Sequence, residues 1–170
     1  MSSVELKGRA FKFGDNISTD LIIPGRYAHL RSNLPELAKH VMEDADKTFA
    51  SRVQPGDFIV AGKNFGLGSS REHAPLVIKM AGVNAILAKS VARIFYRNAI
   101  NQGLPVLLCD TDKIDADDIL GVNLSAGIIT NLTKSIQLTF GKIPPVMLDI
   151  LAEGGLISYI NRHGGFKLQT

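Results

Sequence analysis

Three short apolar runs constrain this chain more than any other feature. Residues 58–61 (FIVA), 83–90 (VNAILAKS) and 104–110 (LPVLLCD) are each short for a helix and too apolar for an exposed loop. Between them lie EHAPLVIKMAG and VARIFYRNAINQG, whose apolar residues recur at helical spacing and which stop on Gly82 and Gly103. Strand, helix, strand, helix, strand at this spacing is the pattern of βαβ crossovers around a parallel sheet, so the expected class is α/β. The 170 residues and 18.4 kDa suit one domain spanning 1–170.

The flanking segments extend that core. VELKGRAFKFG (4–14) alternates apolar Val4, Leu6, Ala10 and Phe11/Phe13 with charges, which predicts a half-buried strand entering a turn. NISTDLIIPGRY supplies a Thr-Asp pair, a short apolar run and a Pro-Gly turn, and the polar AHLRSN reads as a loop. NLPELAKHVME (33–43) places Leu34, Leu37, Ala38, Val41 and Met42 on one helical face, with Pro35 in the first turn. GIITNLTKSIQLTF (127–140) predicts a β-hairpin turning near Asn131-Leu132-Thr133. PPVMLDILAEGGLISYINRHGG predicts one or two helices broken at Gly154-Gly155.

Composition narrows the function. Hydrophobic residues make up 45% and charged residues 21%, which predicts a packed fold. The net charge of +3 is not gathered into a stripe, so nucleic acid is not an expected partner, while small acidic substrates are compatible. No apolar leader and no run of about 18 apolar residues is seen, which predicts no membrane span and a cytoplasmic location. Cys109 is a lone cysteine and cannot by itself build a disulfide, a zinc site or an iron–sulfur cluster. It reads as a small core residue. His40, His73 and His163 have no second ligand at metal spacing, so any metal chemistry is expected to involve another chain.

The stretch with most chemical content is Gly66-Leu67-Gly68-Ser69-Ser70-Arg71-Glu72, at a strand-to-helix junction. Unpaired N–H groups at a helix start, glycines that let a ligand approach, two hydroxyls and a guanidinium together suit a carboxylate. Ser69-x-x-Glu72 equally matches a capping box, in which case the segment simply starts a helix. No Walker pattern or full dinucleotide fingerprint is present. Thr19-Asp20 reads either as an Asx-type turn or as an aspartate that orients a hydroxyl or an arginine. Arg26 and Arg31 flank Tyr27 and His29 on the polar loop. Arg93 and Arg97 share a helix face, as an ion-paired surface or a partner contact.

Three segments in order, GRAFKFGDNISTDLIIPGRY, GDFIVAGKNFGLGSSREHAP and AKSVARIFYRNAINQGLP, closely resemble the small subunits of 3-isopropylmalate dehydratase, in the aconitase superfamily. The resemblance implies a swivelling β/β/α domain like the final domain of aconitase, with a parallel βαβ core and an added β-hairpin. It implies a hydro-lyase interconverting 2- and 3-isopropylmalate in leucine biosynthesis, active only with a large subunit that holds a [4Fe–4S] cluster, this chain binding no metal. By the same resemblance Ser69 is the catalytic base, Ser70, Arg71 and Asp20 are substrate-binding, and Tyr27, Ala28, His29 and Leu30 form a specificity loop. Arg31 either binds a further carboxylate or turns to solvent. Homoaconitase and dehydratases of dimethylmalate or citraconate are the related alternatives, and a non-catalytic anion-binding module the alternative of another class. The face with Arg93, Tyr96 and Arg97, and the 64–71 loop, are expected against the large subunit.

Overall fold

A computed structural model describes residues 5–165. In chain order the elements are β1 (Glu5–Lys12), the one-turn helix α1 (Thr19–Ile22), a 3-10 helix (Gly25–Leu30), α2 (Leu34–Ala38), α3 (Phe49–Arg52), β2 (Phe58–Val60), α4 (His73–Met80), β3 (Ala85–Ala88) and α5 (Arg93–Asn101). There follow β4 (Val106–Leu108), a 3-10 turn (Thr111–Lys113), β5 (Ile119–Asn123), β6 (Ile128–Asn131), β7 (Ile136–Thr139), α6 (Pro145–Ala152) and α7 (Leu156–His163). Val4, the first residue of the expected opening strand, lies outside the described residues.

The strands form a seven-stranded mixed sheet in the order β4-β3-β2-β1-β5-β6-β7. β4, β3, β2 and the end of β1 are parallel, as the alternation of strands and helices predicts, so the α/β class holds. β1 serves both halves: Glu5 to Arg9 pair antiparallel with β5, and Ala10 to Lys12 pair parallel with β2. Gly8 sits where the Gly56 carbonyl crosses the strand, and a Cβ there would lie 1.9 Å from that oxygen.

Side chains alternate across the strands, and each face of the sheet has its own core. Phe11, Ile59, Ala61, Ile86 and Ala88 pack on one face with α1 to α5, where Phe49 meets Phe11 edge to face at 5.0 Å. Ala10, Phe58, Val60, Leu87 and Leu107 turn to the other face and join Leu120, Val122, Ile129 and Leu138, with Met147, Leu148 and Leu151 of α6 against them. The interior strands β2 and β3 are buried on both faces and the edge strand β4 buries Val106 and Leu107, which is why all three read as apolar runs.

The departures from the sequence reading have local causes. The helix expected over 33–43 ends at Ala38, because Met42 adopts φ +61° to bury its side chain and donate its N–H to the Ile22 carbonyl at 2.9 Å. AHLRSN is not an irregular loop; Ala28 to Leu30 close the 3-10 helix, and Arg31 caps it. Thr19 and Asp20 form no turn of their own: they open α1, whose cap is Ser18, with its Oγ accepting from the Leu21 N–H at 3.2 Å. The hairpin is present, though it turns over 132–135, with Ser135 at φ +56°. β5 and α3 have no strong sequence signal; β5 is five residues long, includes Gly121, and is defined by its pairing with β1. The break at Gly154-Gly155 separates α6 from α7 as expected.

The antiparallel half is pinned by a polar group beneath the hairpin. Asp118 Oδ2 accepts from the side-chain amide of fully buried Asn131 and from the Asp115 N–H, both at 2.8 Å, with Lys134 Nζ at 3.7 Å. Burial pushes the Asp118 carboxyl up, but these hydrogen bonds and Lys134 outweigh it and hold it below the usual range. A carboxyl depressed in this way contributes stability that is complete above its unfolded-state pKa, near 3.9, and is lost as pH falls through the folded-state value. Asp118→Asn is therefore expected to cost about 1–3 kcal/mol from pH 7 down to pH 5, with the gap to wild type closing below about pH 4, as read from melting temperatures against pH.

Candidate active site

Because β1, β2 and β3 are parallel, their C-terminal ends lie at one end of the sheet, and the chain leaving each stays beside its neighbour. Ser18 bridges Leu67 and Phe65 bridges Val91 in the parallel sense. The Thr19 N–H donates to the Leu67 carbonyl at 2.9 Å, the Gly66 N–H to Ile17 at 2.7 Å, and the Ala92 N–H to Phe65 at 2.9 Å. These three connections extend the sheet at the end where open α/β sheets bind ligands. A cleft of about 220 Å³ opens there, with Thr19 and the 66–71 loop on one side and Ala92 to Phe95 and Asn98 on the other.

Gly66 sets the shape of this cleft. Its φ is +78°, and an added Cβ would lie 2.3 Å from the Phe95 ring, which packs edge to face on Phe65 with centroids 5.3 Å apart. Only a residue without a side chain lets the first turn of α5 come this close to the loop. Ser69 and Ser70 are exposed on the loop beyond it, and the Ser69 hydroxyl lies 3.4 Å from the hydroxyl of buried Thr19.

The capping box that the sequence leaves open is not formed. α4 begins at His73, its N-cap is Glu72, and no side chain caps it. The helix start that borders the cleft belongs instead to α5, where the first N–H groups have no acceptor within the helix. The sequence expects the positive helix end beside Ser69 to be that of α4, whereas the cleft is bordered by the start of α5, which begins 24 residues after Ser69 and arrives through tertiary packing and not through chain continuity.

Four of the sequence candidates come together. Arg71 Nη2 is 2.7 Å from Asp20 Oδ1, and Arg71 Nη1 donates to the Ile23 carbonyl at 2.7 Å, so the guanidinium ties the Gly-rich loop to α1. Ser69 and Ser70 precede it on the same loop. Asp20 is 71% exposed, so water screens the pair and its value is chiefly geometric.

The 27–31 loop does not line this cleft. Ala28 and Arg31 border a separate shallow hollow with Ile23, Pro24, Leu37 and His73, and Arg71 lines both hollow and cleft. Arg31 is exposed and makes no ion pair with a described residue. Tyr27 is half-buried and stacks on His40, with ring centroids 3.9 Å apart and planes 14° apart. His29 is exposed and Leu30 half-buried against the core. Arg26 holds the loop from outside: it lies over the Tyr27 ring and grips both oxygens of Asp44 at 3.0 and 2.8 Å, which keeps the Asp44 carboxyl below its usual range. Tyr27, His40 and Arg26 do the same to Glu43.

The sequence singles out Arg93, Arg97 and Asn98 at the second strand-to-helix junction, but not Ile94 and Phe95 beside them. Arg93, Ile94, Phe95 and Asn98 line the cleft, whereas the sequence assigns Arg93, Tyr96 and Arg97 to a single partner face. Tyr96 is half-buried against the core, between the exposed Arg93 and Arg97. Cys109 packs beside the apolar group on the α6 side, and burial, with some help from Asp110, pushes its thiol up to about 12. His163 pairs with Glu153 at 3.3 Å, and among the described residues no three His, Cys, Asp or Glu side chains converge to hold a metal ion. Among the described residues Cys109 is the one thiol, a donor set that does not fit an iron–sulfur cluster. No helix among the described residues is long and apolar enough to cross a membrane.

Known proteins match this architecture closely. Residues 12–110 match the aconitase C-terminal domain family. The chain is 66% identical over 165 residues to the 3-isopropylmalate dehydratase small subunit 2 of Archaeoglobus fulgidus, covering 97% of this chain and all of that one. It is 60% identical over 162 residues to the small subunit 1 of Thermotoga maritima, covering 95% and 98%. The solved structure of 3-isopropylmalate dehydratase (leuD) from Methanocaldococcus jannaschii superposes with a TM-score of 0.91 at 45% identity, covering 95% of this chain and 96% of that one. A parallel core, a strand-end cleft and near full-length identity point the same way: this chain belongs to the aconitase C-terminal domain family, among the 3-isopropylmalate dehydratase small subunits.

Proposed function

We propose that this chain is the small subunit of a hydro-lyase that interconverts 2-isopropylmalate and 3-isopropylmalate by dehydration and rehydration, in leucine biosynthesis, with a large subunit as partner. The observation that carries the reading is the cleft itself, where the Ser69 loop faces the opening turn of α5 and two arginines. Ser69, as an alkoxide, removes a carbon-bound proton from the substrate and returns it. An alkoxide needs a strongly preorganised positive environment at neutral pH, and the first-turn N–H groups of α5 with the neighbouring guanidinium of Arg71 are groups of that kind. Ser70 and Arg71 hold substrate carboxylate, and Asp20 keeps Arg71 in place.

The [4Fe–4S] cluster belongs, in this reading, to the large subunit, because the lone Cys109 cannot supply the several thiolates a cluster needs. The active site is then shared, with this chain supplying the base and the anion holders. The enzyme works in the cytoplasm.

The uncapped start of α4 argues against a merely structural role for the Gly-rich loop, because Ser69 satisfies no helix N–H. Ser69→Ala is expected to change the stability of the chain by less than about 0.5 kcal/mol, the usual range for an exposed side chain. In the enzyme reconstituted with its large subunit the same variant should lose roughly a thousandfold or more in kcat, measured by steady-state turnover of isopropylmalate. Turnover unchanged by Ser69→Ala would remove the serine from the mechanism.

Substrate range is tested at the hollow. With Arg31 turned to solvent, Arg31→Ala should change kcat/KM for isopropylmalate by less than about tenfold. A hundredfold loss, together with a wild-type preference for homoaconitate, would place the enzyme with homoaconitases instead.

A further inference from the structure

Several arginines are ion-paired. Arg9 lies near Asp57 and Asp117, Arg26 pairs with Asp44, Arg162 with Glu153, and Arg71 with Asp20. Arg93 is different. It opens α5 and has no ion pair with a described residue, and the helix has no acidic residue in its first turn.

Two local rules are broken at that position. A cation at the first position of a helix faces the positive end of the helix dipole, where anions are favoured. Arg97 follows one turn later as a like charge at i+4, and the helix sequence RIFYRNAIN contains no carboxylate to offset either. Local rules broken without compensation mark functional positions, and the missing element here is negative charge.

The cleft shows where that charge would sit. Arg93 and Arg71 are the charged side chains on its wall, no carboxylate lines it, and Arg71 is already engaged by Asp20 and the Ile23 carbonyl. We propose that Arg93, standing unpaired on the cleft wall opposite the Ser69 loop, is a substrate-binding residue that holds one carboxylate of the dicarboxylate acid. Arg71, steadied by Asp20 and the Ile23 carbonyl, holds the other carboxylate, and Arg93 supplies the uncommitted guanidinium. The inference rests on the hydro-lyase reading only for the identity of the acid.

The test uses the enzyme reconstituted at saturating large subunit, with Arg93→Gln and Arg93→Lys. Arg93→Gln should raise KM for isopropylmalate and the inhibition constant of malonate together, each by roughly ten- to a hundredfold, the size of a charge-assisted bond. Arg93→Lys should recover part of the loss, keeping the charge without the planar fork. The melting temperature of the free chain should not fall in Arg93→Gln, since the substitution removes a repulsion. An unchanged KM overturns the proposal, as does weaker affinity for the large subunit with KM intact at saturation, which would make Arg93 the partner of a carboxylate on that subunit. A wild-type enzyme inert toward isopropylmalate but active on another dicarboxylate overturns the substrate reading alone, and a raised KM for that acid in Arg93→Gln still supports the Arg93 assignment.

Discussion

The backbone of β1 satisfies two ladders of opposite sense within eight residues, five against β5 and three against β2, and then continues past the sheet to Thr19. That double pairing determines the rest of the arrangement. The parallel steps from β1 to β4 require long crossovers, which carry α1 to α3, α4 and α5 in turn, while the antiparallel partner permits the compact β5-β6-β7 meander. It also decides where the cleft forms, because a parallel pair sends both of its exits to the same end, and the exits of β1, β2 and β3 stay hydrogen-bonded for several residues beyond the strands.

Within the cleft, burial and exposure are divided between two kinds of residue. Phe65, Phe95 and Thr19 lie at 0 to 3% exposure and form a rigid floor. Ser69, Ser70 and Arg93 stand on it in contact with water. Positioning by a buried scaffold beneath polar groups free to meet a ligand is the usual division of labour in loop-borne sites.

The parallel core was legible in the sequence because strands buried on both faces have nothing to alternate with, so apolar runs and glycine-ended helices stand out. The elements that escaped notice depend on distant partners. β5 carries only five residues and takes its place from β1, and the shortened α2 reflects the Met42 bond to Ile22, neither of which leaves a periodic trace. The same division holds in the site. Ser69, Ser70, Arg71 and Asp20 lie on two recognisable motifs and the structure brings them together, while Arg93 entered as part of a surface because the packing of α5 against Gly66 is invisible along the chain.

Arg71 borders both the cleft and the hollow beside Ala28 and Arg31, and its guanidinium is held by the backbone at Ile23, the residue before Pro24 and the 3-10 helix. A drift in the residues of that hollow therefore reaches the same side chain that stands next to the serine loop. A change at Ala28 or Arg31 alters the setting of Arg71 at the same stroke, so hollow and cleft vary together on this scaffold.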